Sequence, residues 1–506
     1  MVQDIDEHKI DVIRAPISIS AFLNQDLTSK ILQEIELFNY NIVLLPGFVQ
    51  WDTLNLEIKF RIKIRKGPEF ASDLPFILKN IEKLQLSNTI PANRLLEISG
   101  ENEFSKILKE QIKSAKNLLS TYTYYLNDKK SNIMIGRNLP PPIIAEIVNC
   151  TVKSDENILK KVKHYIHSGA DIIDIGCVSN KPKPERIKEI IRLIRSHYNI
   201  LISIDSMIKE EIYAAVEENI DLILSLDLGN YEEFLTLPKN IPIVILPTNI
   251  KKAYFPKNPE TRVINLLKLT EELFKNGFNK LIADPLLETP INPGISNSLE
   301  AYFLYKKKVS EKKYKHLELP LFFGISNVVE LMDIDSVGIN GLLASIAIEL
   351  DIGILFTVEH SAKLMGGVRE LIESVKLNYI AKHRNTPPIN QGIQMFKAKA
   401  KISQEMPYID EENAININTI PLDYTPDEKG YFRIYVNQYS RKIYVLFYSN
   451  DDKLLQTFIG ENAEILSKKI IETNLTKNIY HLNYLGRELK KAEMHMHFGK
   501  SYIQDD

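Results

Sequence analysis

Two cysteines, Cys150 and Cys177, are all that a chain of 506 residues contains. So few thiols exclude a disulfide framework and a four-thiolate metal site. Both follow short apolar runs, where they read as small buried thiols rather than as redox or metal groups. Long hydrophobic stretches are also missing. Even IIAEIVNC (143–150) and IAIELDIGILFTV (346–358) are broken by acids, so no membrane span is expected. Nor is one sign of charge in excess: 63 Lys and Arg face 65 Asp and Glu, which gives no footprint for nucleic acid or an anionic membrane. The first residues, MVQDIDEHKIDVIRAP, lack the apolar core of a secretory signal, and a cytoplasmic location is expected. No HExxH, CxxC, GxGxxG or GxxxxGK[ST] spacing occurs, so neither a metal site nor a nucleotide loop is expected. His495 and His497 lie two apart on a predicted helix, on different faces, and read as surface groups.

What remains is a soluble-protein composition, 44% hydrophobic and 25% charged, over a length that suggests about three units. Residues 1–133 mix an amphipathic helix (ISAFLNQDLTSKILQEIELF), the short strands NIVLLPG and RIKIRKGP, and further helices, the last running from NEFSKILKEQ to TYTYYL, which predicts an N-terminal α/β domain. Its loop with Lys66, Gly67, Pro68 and Asp73 suits either a ligand or a plain turn. Over 140–384, eight apolar segments alternate with amphipathic helices: PIIAEIV, ADIIDIG, ILISID, DLILSL, IPIVIL, KLIADP, LPLFFG and DIGILFT. Nearly continuous apolar strands with helical crossovers imply a parallel sheet covered on its outside, and eight units fit a closed (β/α)8 barrel. A linker is expected over 385–425. After it, 426–506 carries the strands GYFRIYVN and KIYVLFYS and two helices, a small α+β domain.

Active sites of such barrels form at the C-terminal strand ends, and here almost every strand ends in a polar group. They are Asn149, Asp205, Ser225 with Asp227, Thr248, Asp284, Ser326 with Asn327, and Glu359 with His360. One Asp after an apolar strand is often only a helix cap, but acids and amides repeated around a ring suit a flat heterocycle with many hydrogen-bonding edges, such as a pterin.

These segments resemble the pterin-binding barrels of dihydropteroate synthase and of methyltetrahydrofolate:corrinoid methyltransferase. IVNCTVKSD (147–155), GADIIDIGCVS (169–179), ISIDS (202–206) and IADP (282–285) are similar to the synthase signatures of strands 1, 2, 3 and 6. The resemblance implies that Asp205 and Asp284 hold the pterin ring, with Asn149 at its edge and Ser225, Asp227 and Asn327 completing the pocket. GISNVVE replaces the synthase's Ser-Arg-Lys run, and TVEHSAK offers His360 and Lys363 where the synthase has an Arg-x-His pair. DPLLETP and GISN lean toward the methyltransferase, in which Asn327 would meet N5. The flanking segments LLPG, KGP, DLP, LGREL and GKSYIQD are similar to archaeal dihydropteroate synthase-like proteins of the methanopterin branch. That layout implies a synthase of tetrahydromethanopterin biosynthesis joining a 6-hydroxymethyl-dihydropterin diphosphate to a ribosylated arylamine, with Lys153, Lys181, Lys183, His360 and Lys363 meeting the diphosphate. The reduced pterin is then a substrate, Mg2+ accompanying the diphosphate is an option, and a homodimer is another. The alternatives are methyl transfer to a corrinoid protein and a pterin-binding protein without catalysis.

Overall fold

The computed structural model describes residues 9–498 and 502–504, apart from 18, 70, 80, 96–99, 132, 180, 390, 394, 396–426 and 439. The linker expected over 385–425 therefore lies mostly outside the described residues. In the N-terminal part, α1 (Gln25–Gln33) starts at Asn24, whose side chain accepts from the Leu27 amide. Strand β1 (Ile42–Leu45) pairs in parallel with β2 (Lys63–Lys66) across α2 (Leu54–Phe60). Lys66 is buried and donates to the Val49 carbonyl at 2.7 Å, and the Gly67 amide donates to Leu45, so the KGP loop is tied into this small core. Then come α3 (Leu74–Lys79) and α4 (Gly100–Lys116).

The helix expected to run through TYTYYL stops at Lys116. Beyond it, β3 (Tyr124–Tyr125) and β4 (Met134–Ile135) form an antiparallel pair. The reason is local: Ser120 caps a turn through the Tyr122 and Thr123 amides, and consecutive Thr and Tyr residues favour extended backbone. Tyr124, Leu126 and Ile135 pack against Ile144, Ile172, Leu201, Leu222, Val244, Ile282, Phe322 and Ile354, so this hairpin closes the barrel's N-terminal end.

All eight expected barrel strands form: β5 (Ile143–Ile147), β6 (Ile172–Gly176), β7 (Leu201–Asp205), β8 (Leu222–Leu226), β9 (Ile243–Ile245), β10 (Leu281–Ala283), β11 (Phe322–Gly324) and β12 (Ile354–Val358). They pair in parallel in the order β10-β9-β8-β7-β6-β5-β12-β11. The ring closes where the Ala283 amide donates to Pro320 at 2.9 Å and Ala283 bridges Leu321. Helices α5 (Asp155–Ser168), α6 (Pro184–His197), α7 (Lys209–Glu217), α8 (Pro259–Lys275), α9 (Ile295–Ser310), α10 (Ser326–Val329), α11 (Ser336–Glu349) and α12 (Gly367–Arg384) cover the outside. Their boundaries follow the sequence: α5 is capped by Ser154, carries Asp155 and Glu156 in its first turn and ends at Gly169, whose φ of 96° a side chain would oppose. Helix α4 rests on α12 through Lys376–Glu101 (2.7 Å), the Arg384–Glu103 pair and an edge contact of Phe104 with Tyr379.

The C-terminal part has three strands rather than the two expected, β13 (Tyr431–Asn437), β14 (Lys442–Tyr448) and β15 (Leu454–Gly460), antiparallel, followed by α13 (Ala463–Glu472) and α14 (Ile479–Phe498). Phe432, Ile434, Ile443, Val445, Phe447, Leu466, Ile470, Leu485 and Leu489 give it its own core. His497 is exposed, whereas His495 is half-buried against Tyr502.

Candidate active site

Side chains alternate faces along a strand, so the residues two places beyond the apolar layer at the barrel's lower end also point inward. From β5, β6 and β7 these are Glu146, Asp174 and Ser203; one step higher sits Asp205, and beyond β10 sits Asp284. The barrel is thus apolar below and acidic toward the mouth.

Asp284 is held rigidly. Its Oδ1 accepts from the Leu286 amide at 2.8 Å and from the Tyr302 hydroxyl at 3.1 Å. The loop beneath it is clamped by Arg262, almost fully buried, which donates to the carbonyls of Pro256 (2.8 Å), Pro285 (3.3 Å) and Leu286 (2.9 Å) and pairs with Glu288. Oδ2 has no protein partner among the described residues. Burial pushes the carboxyl up to about 7 against these hydrogen bonds.

On the opposite wall, Asp205 is hemmed in by protein at its sides but open to solvent above, and burial raises its carboxyl to about 6. Glu146 and Asp174, which sequence reading left out of the site, lie next to it. Glu146 and Asp174 are register partners, as are Gly176 and Asp205, and one oxygen from each of the three acids lies within 4.8 Å of the others. Burial and then the neighbouring Asp205 push Glu146 up to about 7, and burial with both neighbours pushes Asp174 well above the carboxylate range. Local spacing predicts no metal-type cluster; adjacent strands nevertheless assemble one. The available signal is an acid at an alternating position inside an otherwise apolar strand, as in PIIAEIV and ADIIDIG.

Other expected residues separate into those at the mouth and those occupied elsewhere. Asn149 is exposed with φ 52°, just past β5. Asn327 is exposed in α10 and donates through Nδ2 to the Leu287 carbonyl at 2.9 Å. Ser225 is buried in β8. Asp227 is engaged within the protein: its carboxylate accepts from the amides of Gly229 (2.7 Å), Asn230 (3.1 Å) and Ile250 (2.6 Å) and from Thr248 Oγ1 (2.8 Å). Four donors saturate a carboxylate, so Asp227 and Thr248 organise the loops after β8 and β9 instead of meeting a ligand.

The expected cations are also divided. A cavity of about 260 Å³ at the ends of β5 and β12 is lined by Lys153, Asn157, Lys160, Lys161 and His360 together with Glu146 and Glu359. Lys160 and Lys161 were not anticipated, because on α5 they read as a solvated helix face. Below them, Glu359 is held by His164 Nε2 at 2.8 Å, Lys161 Nζ at 3.6 Å and the Val368 amide at 3.1 Å. Despite its burial, these partners keep Glu359 below the ordinary carboxylate range. Lys181 is exposed and Lys183 half-buried beyond β6, outside this cavity, and Lys363, also outside it, donates to the Met332 carbonyl at 2.5 Å.

A closed parallel barrel whose mouth gathers fixed acids and a lysine-lined cavity at its C-terminal strand ends has the layout of a (β/α)8 enzyme. Residues 147–338 match the pterin binding enzyme family, and residues 426–505 match a domain family described as PterinBD-DUF4346. An uncharacterised protein of Methanocaldococcus jannaschii is 32% identical over 98% of this chain and 94% of its own length. Dihydropteroate synthase of Streptococcus pyogenes is 31% identical over 111 residues, covering 20% of this chain and 42% of the synthase. Among solved structures, Yersinia pestis dihydropteroate synthase aligns at 16% identity with a TM-score of 0.39, over 52% of this chain and 100% of the other. The chain belongs to the dihydropteroate synthase-like pterin-binding family, whose members are transferases.

Proposed function

We propose that the chain condenses a 6-hydroxymethyl-dihydropterin diphosphate with a ribosylated arylamine, releasing diphosphate, as a step of tetrahydromethanopterin biosynthesis. The observation that carries this reading is the pairing, in one barrel mouth, of the fixed acid Asp284 and the exposed acid Asp205 with a lysine-lined cavity. Asp284 Oδ2 and Asp205 suit the N–H and amino edges of a reduced pterin, with Asn149 and Asn327 at the rim. Lys153, Lys160, Lys161 and His360 suit the departing diphosphate, with which Mg2+ would travel. Loss of that group leaves an electron-poor methylene that the amine captures, so the protein acts by positioning both partners and stabilising the anion, without a covalent nucleophile.

Asn327 supports a second reading, methyl transfer from a reduced pterin to a corrinoid protein, because an exposed amide stands where a lysine would serve the synthase. The full chain incubated with the pterin diphosphate and candidate arylamines should release diphosphate in step with a coupled product seen by mass spectrometry. Methyl transfer to cobalamin with no diphosphate release would replace the first reading by the second.

A further inference from the structure

Glu146, Asp174 and Asp205 lie together on three neighbouring strands, and of the three Glu146 also lines the lysine-lined cavity. None of the three forms an ion pair among the described residues; besides burial, Glu146 is raised by the acids Asp205 and Glu330, and Asp174 by Asp205 and Glu146. Parallel register places Glu146 directly beside Asp174, an arrangement that repels when both are charged. Asp174 is fully buried. Its Oδ1 accepts from Ser203 Oγ at 2.5 Å, while Oδ2 has no hydrogen-bond partner among the described residues. A buried carboxylate oxygen in that state is costly unless something is bound to it. Room for the group is provided by Gly176: a Cβ there would come within 2.2 Å of Glu146 Oε1. Asp205, exposed above, gives a route in from solvent.

We infer that Glu146, Asp174 and Asp205 bind a divalent cation of the oxygen-preferring class, Mg2+ or Mn2+, on the floor of the barrel mouth. One oxygen from each acid, mutually within 4.8 Å, can converge on a single ion, and carboxylates alone, without nitrogen or sulfur, select a hard cation. Water fills the other positions. Ser203 orients Asp174 from behind, as outer partners of metal ligands do. The three acids are the ion's only protein ligands; Glu146 also lines the lysine-lined cavity, so the ion lies beside the space proposed for diphosphate. It does not depend on the pterin assignment.

The test uses the full chain, stripped with EDTA and titrated with Mn2+ at neutral pH, free ion being read by electron paramagnetic resonance. The wild type should take up about one Mn2+ per chain, displaceable by Mg2+, and its thermal midpoint should rise. Glu146→Gln should weaken uptake roughly tenfold or more and remove the midpoint shift, with Asp174→Asn behaving alike, whereas the surface change Glu300→Gln should alter neither. If Asp174→Asn does not fold, Glu146→Gln and Glu146→Ala carry the test. No saturable uptake by the wild type up to about 1 mM, or uptake unchanged in Glu146→Gln, would overturn the inference and leave the three acids sharing protons instead.

Discussion

A carboxyl raised to about 7 inside the barrel mouth makes Asp284 act on stability in the opposite sense to a salt-bridged acid. Its ordinary value is 3.8, so between about pH 4 and 7 the folded protein binds more protons at this site than the unfolded chain does. The site's contribution to stability is therefore fully present at the acid end and is lost as pH rises through that window. Asp284→Asn keeps an acceptor for Tyr302 and Leu286 but never ionises. In urea unfolding it should match the wild type near about pH 4 and exceed it by roughly 1–3 kcal/mol near about pH 8. A variant weaker than the wild type at the higher pH would show that the charge is instead compensated. Asn327 separates the two reactions. For diphosphate displacement, Asn327→Ala should mainly weaken pterin binding; for methyl transfer it should slow the chemical step by about 10²-fold with affinity nearly intact. Single-turnover kinetics beside equilibrium binding distinguish them. At this scale the sequence made Asp205 and Asp284 legible, because each ends an apolar strand. It hid Glu146 and Asp174, whose meaning depends on which neighbouring strand faces them, and it gave no sign of the four donors to Asp227, which come from loops that a linear reading cannot bring together.

Among the elements, the barrel strands were legible because burial on both faces leaves long apolar runs that only a covered parallel sheet explains. The hairpin β3–β4 was not. Its tyrosines continue the amphipathic spacing of α4, and only tertiary contact with the barrel's lower opening turns them into a plug. Tyr124 is buried there and donates to the Leu281 carbonyl at 3.0 Å. Tyr124→Ala should cost about 3–5 kcal/mol through the cavity it leaves, and Tyr124→Phe about 1 kcal/mol through the lost hydrogen bond, both read as shifts in thermal or urea unfolding. Equal, small effects would mean that the hairpin lies loosely on the barrel. Strand β15 escaped notice for a different reason: most of LLQTFIG is exposed, so it lacks the inward alternation that marks β13 and β14.

Over the whole molecule, changes in periodicity set off three stretches of chain, and the polar strand ends already pointed to one end of the barrel as its chemical side. Both clusters of functional groups then fall at one end, the hairpin at the other. The lysine-lined cavity gives this polarity a measurable consequence. Lys160→Ala with Lys161→Ala should raise KM for the pterin diphosphate roughly tenfold or more and leave affinity for the unphosphorylated dihydropterin unchanged, since only the diphosphate meets those cations. Equal losses for both ligands would place the pterin itself in that cavity. The most direct measurement is calorimetry of the full chain with 6-hydroxymethyl-dihydropterin. The account predicts saturable binding by the wild type and a loss of about 2–4 kcal/mol in each of Asp205→Asn and Asp284→Asn, each of which removes a charge-assisted acceptor from a ring edge. Affinity unchanged in both variants would contradict it.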